Sequence, residues 1–227
     1  MADQKQEKAE VHKLPEGRVI NHSLFVKDIY VDPVTKKAAS PSYKIEMAFT
    51  PAELDPHLDV IMDLIEKTWG AAAVDDYLDA EEGKASRFRW SFNPSSGDKK
   101  AGERAAKGKE GDAYAGKLVL RAHTEFDRDG KNGPAGVPVY GPAVEKIGLA
   151  EGNDSLVFEG CYGILAVTLK PYETNGNRYI THYIQAFQKT RGTDEDRLRK
   201  GADRSGLFAP VAGGVAGVGA ARRRRVG

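Results

Sequence analysis

The stretch Val157–Gln188, VFEGCYGILAVTLKPYETNGNRYITHYIQAFQ, decides the fold of this chain. It contains two apolar, β-rich runs, Gly163–Leu169 and Tyr179–Phe187, and the connection between them ends in TNGN at Thr174–Asn177. An Asn-Gly pair between two alternating runs is the strongest short-range signal for a β-hairpin. The stretch therefore predicts a long antiparallel hairpin.

The second run of this hairpin has two different faces. One face is aromatic and polar and consists of Tyr179, Thr181, Tyr183, Gln185 and Phe187. The opposite face is mostly aliphatic and consists of Ile180, His182, Ile184 and Ala186. Because a strand needs only one apolar face to close a core, the aromatic face is available to stack planar ligands such as nucleobases.

Composition places the chain among ordinary globular proteins. Its 227 residues are 40% hydrophobic and 30% charged, which is enough for one domain with a core, plus tails. No apolar run approaches the roughly 20 residues that span a bilayer, and the start, MADQKQEKAEVHK, is unlike a targeting peptide. We therefore expect a cytoplasmic protein without a membrane partner. The single cysteine, Cys161, excludes an intramolecular disulfide and a thiolate zinc cluster.

The order of predicted elements indicates a fold class. Further strands are predicted at Ser23–Val31, Tyr43–Phe49 and Lys117–His123, with a short extended piece at Val137–Tyr140. One amphipathic helix is predicted to start at Asp55-Pro56 and to end near Gly70, and Asp75–Glu82 is a candidate for a second, acidic helix. Five or more strands with one clear helix favour a small β-barrel or an α+β domain. The order fits an elaborated OB-type barrel, although periodicity alone does not separate it from other small barrels.

We therefore expect a mainly β chain, an OB-fold barrel with one or two helices inserted between strands. The predicted boundaries are a disordered tail at residues 1–17, the barrel domain at 18–192 and a flexible tail at 193–227. The last tail ends in the cluster Arg222–Arg225. Residues 95–112, rich in Gly, Ala and Lys, have nothing to bury and are predicted to form a mobile loop.

Basic and aromatic side chains alternate along several of these segments. The net charge is only +1, so an anion-binding surface must be a local groove. Proteins that hold single-stranded nucleic acid combine such a groove with aromatic platforms, and each stacked base contributes about 1–3 kcal/mol. The candidates are Arg87, Arg89, Trp90, Lys117, Arg121, Arg178, Tyr179 and Tyr183, and the predicted loop adds Lys99 and Lys100. The alternative is that the aromatic residues pack in the core, and that acidic neighbours neutralise the loop.

No set of residues predicts catalysis. The histidines lack H-x-x-x-H and H-E-x-x-H spacing, so the usual helical metal sites are absent from the sequence. Cys161 falls in a strand region, where a buried inert thiol is the expected state. We therefore expect neither an enzyme nor a bound metal or cofactor.

The segment Phe158–Gln188 resembles a family of phage single-stranded DNA-binding proteins that was first catalogued as a domain of unknown function. The matching motifs are FEGCYG at Phe158–Gly163, NGN at Asn175–Asn177 and QAFQK at Gln185–Lys189. Tyr43–Phe49 and Asp112–Leu118 are similar to two earlier segments of the family and fall in the right order. The resemblance covers about residues 20–192.

This resemblance implies an OB-fold that coats single-stranded DNA during phage replication and recombination, without catalysis. It implies single-stranded DNA and phage replication or recombination proteins as partners, and Tyr162, Tyr179 and Tyr183 as groove aromatics. The end of the chain departs from the acidic tail that is common in such proteins, because Arg222–Arg225 adds positive charge instead. Two alternatives stay open: a virion structural or assembly protein, and a metal-dependent nuclease, against which the missing carboxylate cluster argues.

Overall fold

The computed structural model describes residues 10–29, 31, 36, 38–81, 86–88, 95–106, 113–125, 136–147 and 156–198. Within these residues it contains seven strands and three helices. The strands are β1 (His12–His22), β2 (Tyr43–Phe49), β3 (Ser95–Ser96), β4 (Leu118–Thr124), β5 (Val139–Tyr140), β6 (Tyr162–Thr174) and β7 (Asn177–Arg191). The helices are α1 (Pro51–Trp69), α2 (Ala71–Glu81) and α3 (Asp98–Ala105).

Five of the strands close into a barrel. Antiparallel pairing joins β2 to β1, β1 to β6, β6 to β7, and β2 to β4. A parallel contact between His123 of β4 and Tyr183 of β7 completes the ring. The two short strands lie outside it, with β3 along β4 and β5 along β7. This five-stranded Greek-key barrel confirms the predicted OB-fold.

Alternate residues of the barrel strands fill its interior. Val19, Ile45, Met47, Leu120, Leu165 and Ile184 are all fully buried there. Leu54, near the start of α1, belongs to the same core. The side chains between them point outward, so the outer faces of β2, β4 and β7 are available for a ligand.

The β6–β7 hairpin is longer than the barrel needs. The Asn175-Gly176 turn has positive φ angles of 49° and 74°, as a two-residue hairpin turn requires, and it confirms the predicted hairpin. We call residues 168–182 the hairpin arm. A second small core, formed by Ile61, Ile65, Tyr77, Phe88 and Ile180, packs α1 and α2 against one side of this arm. In the described part of the chain, neither α1 nor α2 covers the opposite side of the hairpin arm.

Helix α1 begins earlier than the sequence predicted. Thr50 is its N-cap and forms a capping box with Glu53, so the helix starts at Pro51 and Pro56 lies inside it. The predicted start at Asp55-Pro56 was wrong because the capping box and a first-turn proline outweigh the second proline. The predicted end near Gly70 is confirmed, since this residue is the C-cap with a φ of 86°.

Two predictions at the N-terminal end were wrong. The first strand is His12–His22, which begins inside the segment predicted to be a disordered tail. Its charged residues lie on the outer face, while Leu14 and Val19 enter the core. In the segment predicted as the strand Ser23–Val31, residues 24–26 form a bend, Leu24 and Phe25 are buried in the core, and Asp28 and Val31 form isolated β-bridges.

The predicted mobile loop at 95–112 contains ordered structure. Its first part forms β3 and α3, and Ala101 of α3 packs against a small cluster on the outer face of the barrel that includes Tyr114 and Val119. The Asp98 carboxylate accepts a 2.7 Å hydrogen bond from the Gly116 amide, which fixes the start of α3. Residues 107–112 lie outside the described part of the chain. None of the described helices is both long and apolar enough to cross a membrane.

Candidate functional site

The outer side of the hairpin arm and the adjoining edge of β4 carry a row of rings. Tyr179 stacks on Tyr172, its partner across the hairpin, with ring centroids 4.7 Å apart and an angle of 9° between the planes. Tyr183 lies four residues further along the same face, with its ring 5.3 Å from that of His123. We call Tyr172, Tyr179, Tyr183 and His123 the tyrosine face. All four are partly exposed, and they extend over about 14 Å of β7.

Strand alternation explains why these rings point outward. Ile180, His182 and Ile184 occupy the opposite side of β7 and are fully buried. Thr181 lies beneath the rings and hydrogen-bonds to Tyr172. Burial, helped by the neighbouring tyrosines, raises the pKa of Tyr172, so this phenol stays neutral at physiological pH. Burial also lowers the pKa of His123, which keeps its ring neutral at pH 7.

Phe187 does not belong to this face, although the sequence predicted it there. The hairpin register shifts at Gln185, because Ala186 pairs with Ala166 while Ile184 pairs with Val167. The extra residue is a β-bulge, and it reverses the alternation beyond it. Phe187 is therefore fully buried in the barrel core.

Three predicted cations meet beside the tyrosine face. Arg121 lies on the outer face of β4, two residues before His123, and Lys99 and Lys100 approach it from α3. These side chains border a surface depression, which we call the α3 depression, lined by Ser95, Ser96, Gly97, Lys99, Lys100, Glu103, Val119 and Arg121. Glu46 of β2 forms salt bridges with both Arg121 and Lys100. The structure thus brings Arg121 next to two candidates, Lys99 and Lys100, that lie more than 20 residues before it in sequence.

Two other predicted arginines lie near the tip of the hairpin arm and are already paired. Arg87 forms a salt bridge with Glu173 and donates a 3.0 Å hydrogen bond to the Gly176 carbonyl. The Arg178 side chain is only 14% exposed, and its guanidinium lies 3.3 Å from Glu173 and 3.9 Å from Asp76. This placement favours a structural role for Arg178, and its contact with a ligand stays a prediction.

Tyr162 lies far from the other predicted tyrosines. It is the first residue of β6, about 33 Å along the strand from Tyr172. The Arg191 guanidinium covers its ring at 3.6 Å, and Arg18 approaches the ring at 5.8 Å. Arg18 also donates a hydrogen bond to the Asp196 carbonyl, so this cluster holds the segment after β7 against the barrel.

The remaining predicted residues lie elsewhere or outside the described chain. Lys117 directly precedes β4 and is close enough to Glu53 to help lower the pKa of that carboxyl, after the larger effect of its hydrogen bonds with Thr50. Arg89 and Trp90 fall among residues that the structure does not describe. The role of these three residues stays a prediction.

Two members of the tyrosine face were not predicted. Tyr172 follows from the turn itself, because a hairpin closed by Asn175-Gly176 places Tyr172 directly opposite Tyr179. His123 had no such local signal, since it meets Tyr183 only through the closure of the barrel.

The described residues offer little for metal or thiol chemistry. They contain no group of three or more His, Cys, Asp or Glu side chains that could hold a metal ion. Cys161 is fully buried, and burial raises the pKa of its thiol, which keeps the sulfur in its unreactive form.

Comparison with known proteins supports the fold. No protein-family model matches the sequence, and no curated protein matches it at a significant level. The single-stranded DNA-binding protein of bacteriophage Enc34 in complex with ssDNA matches with a TM-score of 0.53 and 15% identity, over 82% of this chain and 88% of that chain. The same Enc34 protein solved alone matches with a TM-score of 0.51 and 14% identity, over 88% and 90%. Identities this low show a shared fold, which is the fold that the resemblance implied.

Proposed function

We propose that this chain binds single-stranded DNA without sequence preference and without catalysis. The observation that carries this proposal is the tyrosine face, a row of partly exposed rings that adjoins three cations on an OB-fold. The Enc34 protein with the same fold has been solved in complex with ssDNA, which supports the same ligand class here.

The position of the tyrosine face on the barrel agrees with how OB-folds are used. OB-folds bind oligonucleotides on the face of their second and third strands and through the loops that join strands one to two and four to five. In this barrel those strands are β2 and β4, and the loop between strands four and five is the Asn175-Gly176 turn of the hairpin arm. The tyrosine face and the α3 depression both border this region.

The chemistry of the site suits a strand of any sequence. Every base has a flat π-face, so stacking on Tyr179 or Tyr183 does not depend on base identity, and each stacked base contributes about 1–3 kcal/mol. Arg121, Lys99 and Lys100 supply positive charge for the phosphates. Binding should therefore weaken as salt rises, because phosphate neutralisation releases counterions.

The finer parts of the proposal concern context. We propose that the protein protects single strands during phage DNA replication or recombination in the host cytoplasm, where phage replication or recombination proteins would be its partners. We also propose that Arg222–Arg225 adds phosphate contacts. Deleting residues 206–227 should then lower DNA affinity and reduce its salt dependence, and an unchanged or tighter affinity would refute a direct role for the tail.

Fluorescence anisotropy with labelled oligo-dT at two salt concentrations tests the main proposal. Tyr179→Ala should weaken binding about 5- to 150-fold, the equivalent of one stacked base. Tyr179→Phe keeps the ring and is the matched control, for which we expect affinity close to that of the unmodified protein. No binding at micromolar protein and low salt would overturn the proposal, and magnesium-dependent cleavage of the oligonucleotide would overturn its non-catalytic part.

A further inference from the structure

Glu46 holds an unusual position in the α3 depression. Its carboxylate bridges two cations, with one oxygen on the Arg121 Nε and the other 2.9 Å from the Lys100 Nζ. The Glu46 side chain is 13% exposed, whereas those of Lys100 and Arg121 are 37% and 50% exposed. The acid thus lies at the base of the site, and the two cations extend from it toward solvent.

Within the described part of the chain, the two cations keep donors that bond no other residue. Arg121 bonds Glu46 through Nε, which leaves its two terminal NH₂ groups for another acceptor, and the Lys100 ammonium has three N–H donors in total. Lys99 borders the same depression and has no ion-pair partner among the described residues. A third cation therefore faces the place that a second anion would occupy.

A carboxylate and a phosphodiester present the same pattern to such donors, namely two oxygens that share one negative charge. We propose that the α3 depression is a phosphate subsite for the DNA strand, and that Glu46 competes with the strand phosphate for Lys100 and Arg121. This inference rests on the proposed function, because it assigns a subsite and an internal competitor to the same DNA-binding surface.

The proposal predicts the sign of a charge-neutralising substitution. Glu46→Gln keeps the size and an acceptor oxygen but removes the negative charge, so the three groups Glu46, Lys100 and Arg121 change from a net +1 to a net +2. A phosphate about 4 Å from the former carboxylate then loses a repulsion that corresponds, in water, to about a 5- to 10-fold gain in affinity. If Glu46 instead served to orient the two cations toward the phosphate, the same substitution would weaken binding.

The experiment compares the full-length protein with Glu46→Gln and with Glu66→Gln, using labelled oligo-dT and anisotropy at low and high salt. Glu66 lies on the exposed side of α1 and controls for the change in net charge. We expect Glu46→Gln to bind about 5- to 10-fold more tightly at low salt, with less gain at high salt, and Glu66→Gln to stay within about twofold. Adding Arg121→Ala to Glu46→Gln should abolish the gain.

The outcomes separate the two proposals. If the unmodified protein binds and Glu46→Gln binds equally or more weakly, the phosphate subsite with its internal competitor is refuted while DNA binding stands. If only Glu46→Gln binds, Glu46 competes so strongly for Lys100 and Arg121 that it prevents DNA binding by the unmodified protein, which supports the proposal. If neither protein binds, both proposals fail. A urea unfolding curve for Glu46→Gln, with a midpoint close to that of the unmodified protein, shows that any change in affinity is not due to misfolding.

Discussion

A buried pair of histidines should make the stability of this protein sensitive to mild acid. His57 of α1 and His182 of β7 face each other with their Nε2 atoms 2.9 Å apart, and both side chains are buried. One Nε2 must donate its proton to a bare Nε2 on the other ring, so the contact requires at least one neutral imidazole. This pair joins α1 to the strand that carries the tyrosine face on its other side.

The size of the effect follows from the pKa of His57. Burial, and to a smaller extent the charge of His12, lowers this pKa from 6.5 to about 4. The unfolded chain therefore takes up a proton near pH 6.5, while the folded protein does not do so until about pH 4. Because the unfolded state binds more protons in this window, the free energy of unfolding falls as the pH falls through it. The loss from pH 7.5 to 5.0 is about 2 kcal/mol, and it levels off at about 3 kcal/mol below pH 4.

Urea unfolding followed by circular dichroism at pH 7.5 and 5.0 measures this loss. The matched variant is His57→Leu/His182→Leu. Because it removes both rings together, it does not leave the Nε2 of one histidine facing a leucine. Other titrating groups, including His123, are present in both proteins and their effects cancel in the comparison. We expect the variant to lose about 2 kcal/mol less than the unmodified protein over this pH interval. Equal losses in the two proteins would refute the assignment of the acid sensitivity to the histidine pair.

Four further substitutions test the structural reasoning by urea unfolding. Arg178→Ala should cost about 1 kcal/mol, since Glu173 and Asp76 lose one shared partner but keep their contacts with Arg87. It should leave ssDNA affinity nearly unchanged, and a large loss of affinity with normal stability would indicate that Arg178 contacts the DNA. Gly176→Ala should cost about 1 kcal/mol from its φ of 74° alone, because a Cβ at this position meets no atom within 4 Å. Gly163→Ala should cost more, because its Cβ would come within 2.3 Å of the Phe187 ring. Equal costs for the two substitutions would contradict this distinction. Thr50→Ala should cost about 1 kcal/mol through loss of the α1 capping box, and no change would contradict the cap.

The parts of the fold that were predicted correctly have local causes. The Asn175-Gly176 turn needs positive φ at both residues, and Asn-Gly is the residue pair that most often meets this requirement. The turn fixes the register of the whole hairpin arm. Tyr43–Phe49 alternates apolar and polar residues, and burial in β2 follows the same alternation as far as Met47, after which Ala48 is also buried, by the cluster on the outer face. In each case the signal and the structure lie within a few residues of each other.

The parts that were predicted wrongly depend on distant partners. The strand β1 has the charged composition of a tail, and it is a strand because β2 and β6 pair with its two edges. Helix α3 has few apolar residues, and Ala101 is ordered by Tyr114 and Val119 from later in the chain. Neither β1 nor α3 has enough apolar residues of its own for the sequence pattern to predict a strand or a helix there.

The same contrast explains which candidate side chains form one site. Tyr162, Tyr179 and Tyr183 are equivalent as sequence signals, yet the barrel separates the first from the other two by most of the length of β6. The β-bulge at Gln185 then removes Phe187 from the outer face, and the parallel contact of β4 with β7 adds His123 to it. Residue type limits what can stack or neutralise charge, while strand register decides which of those groups a single ligand reaches. Among the described residues, the predicted Tyr179, Tyr183, Arg121, Lys99 and Lys100 converge where β4 meets β7, and the proposed DNA strand would contact rings and cations together there.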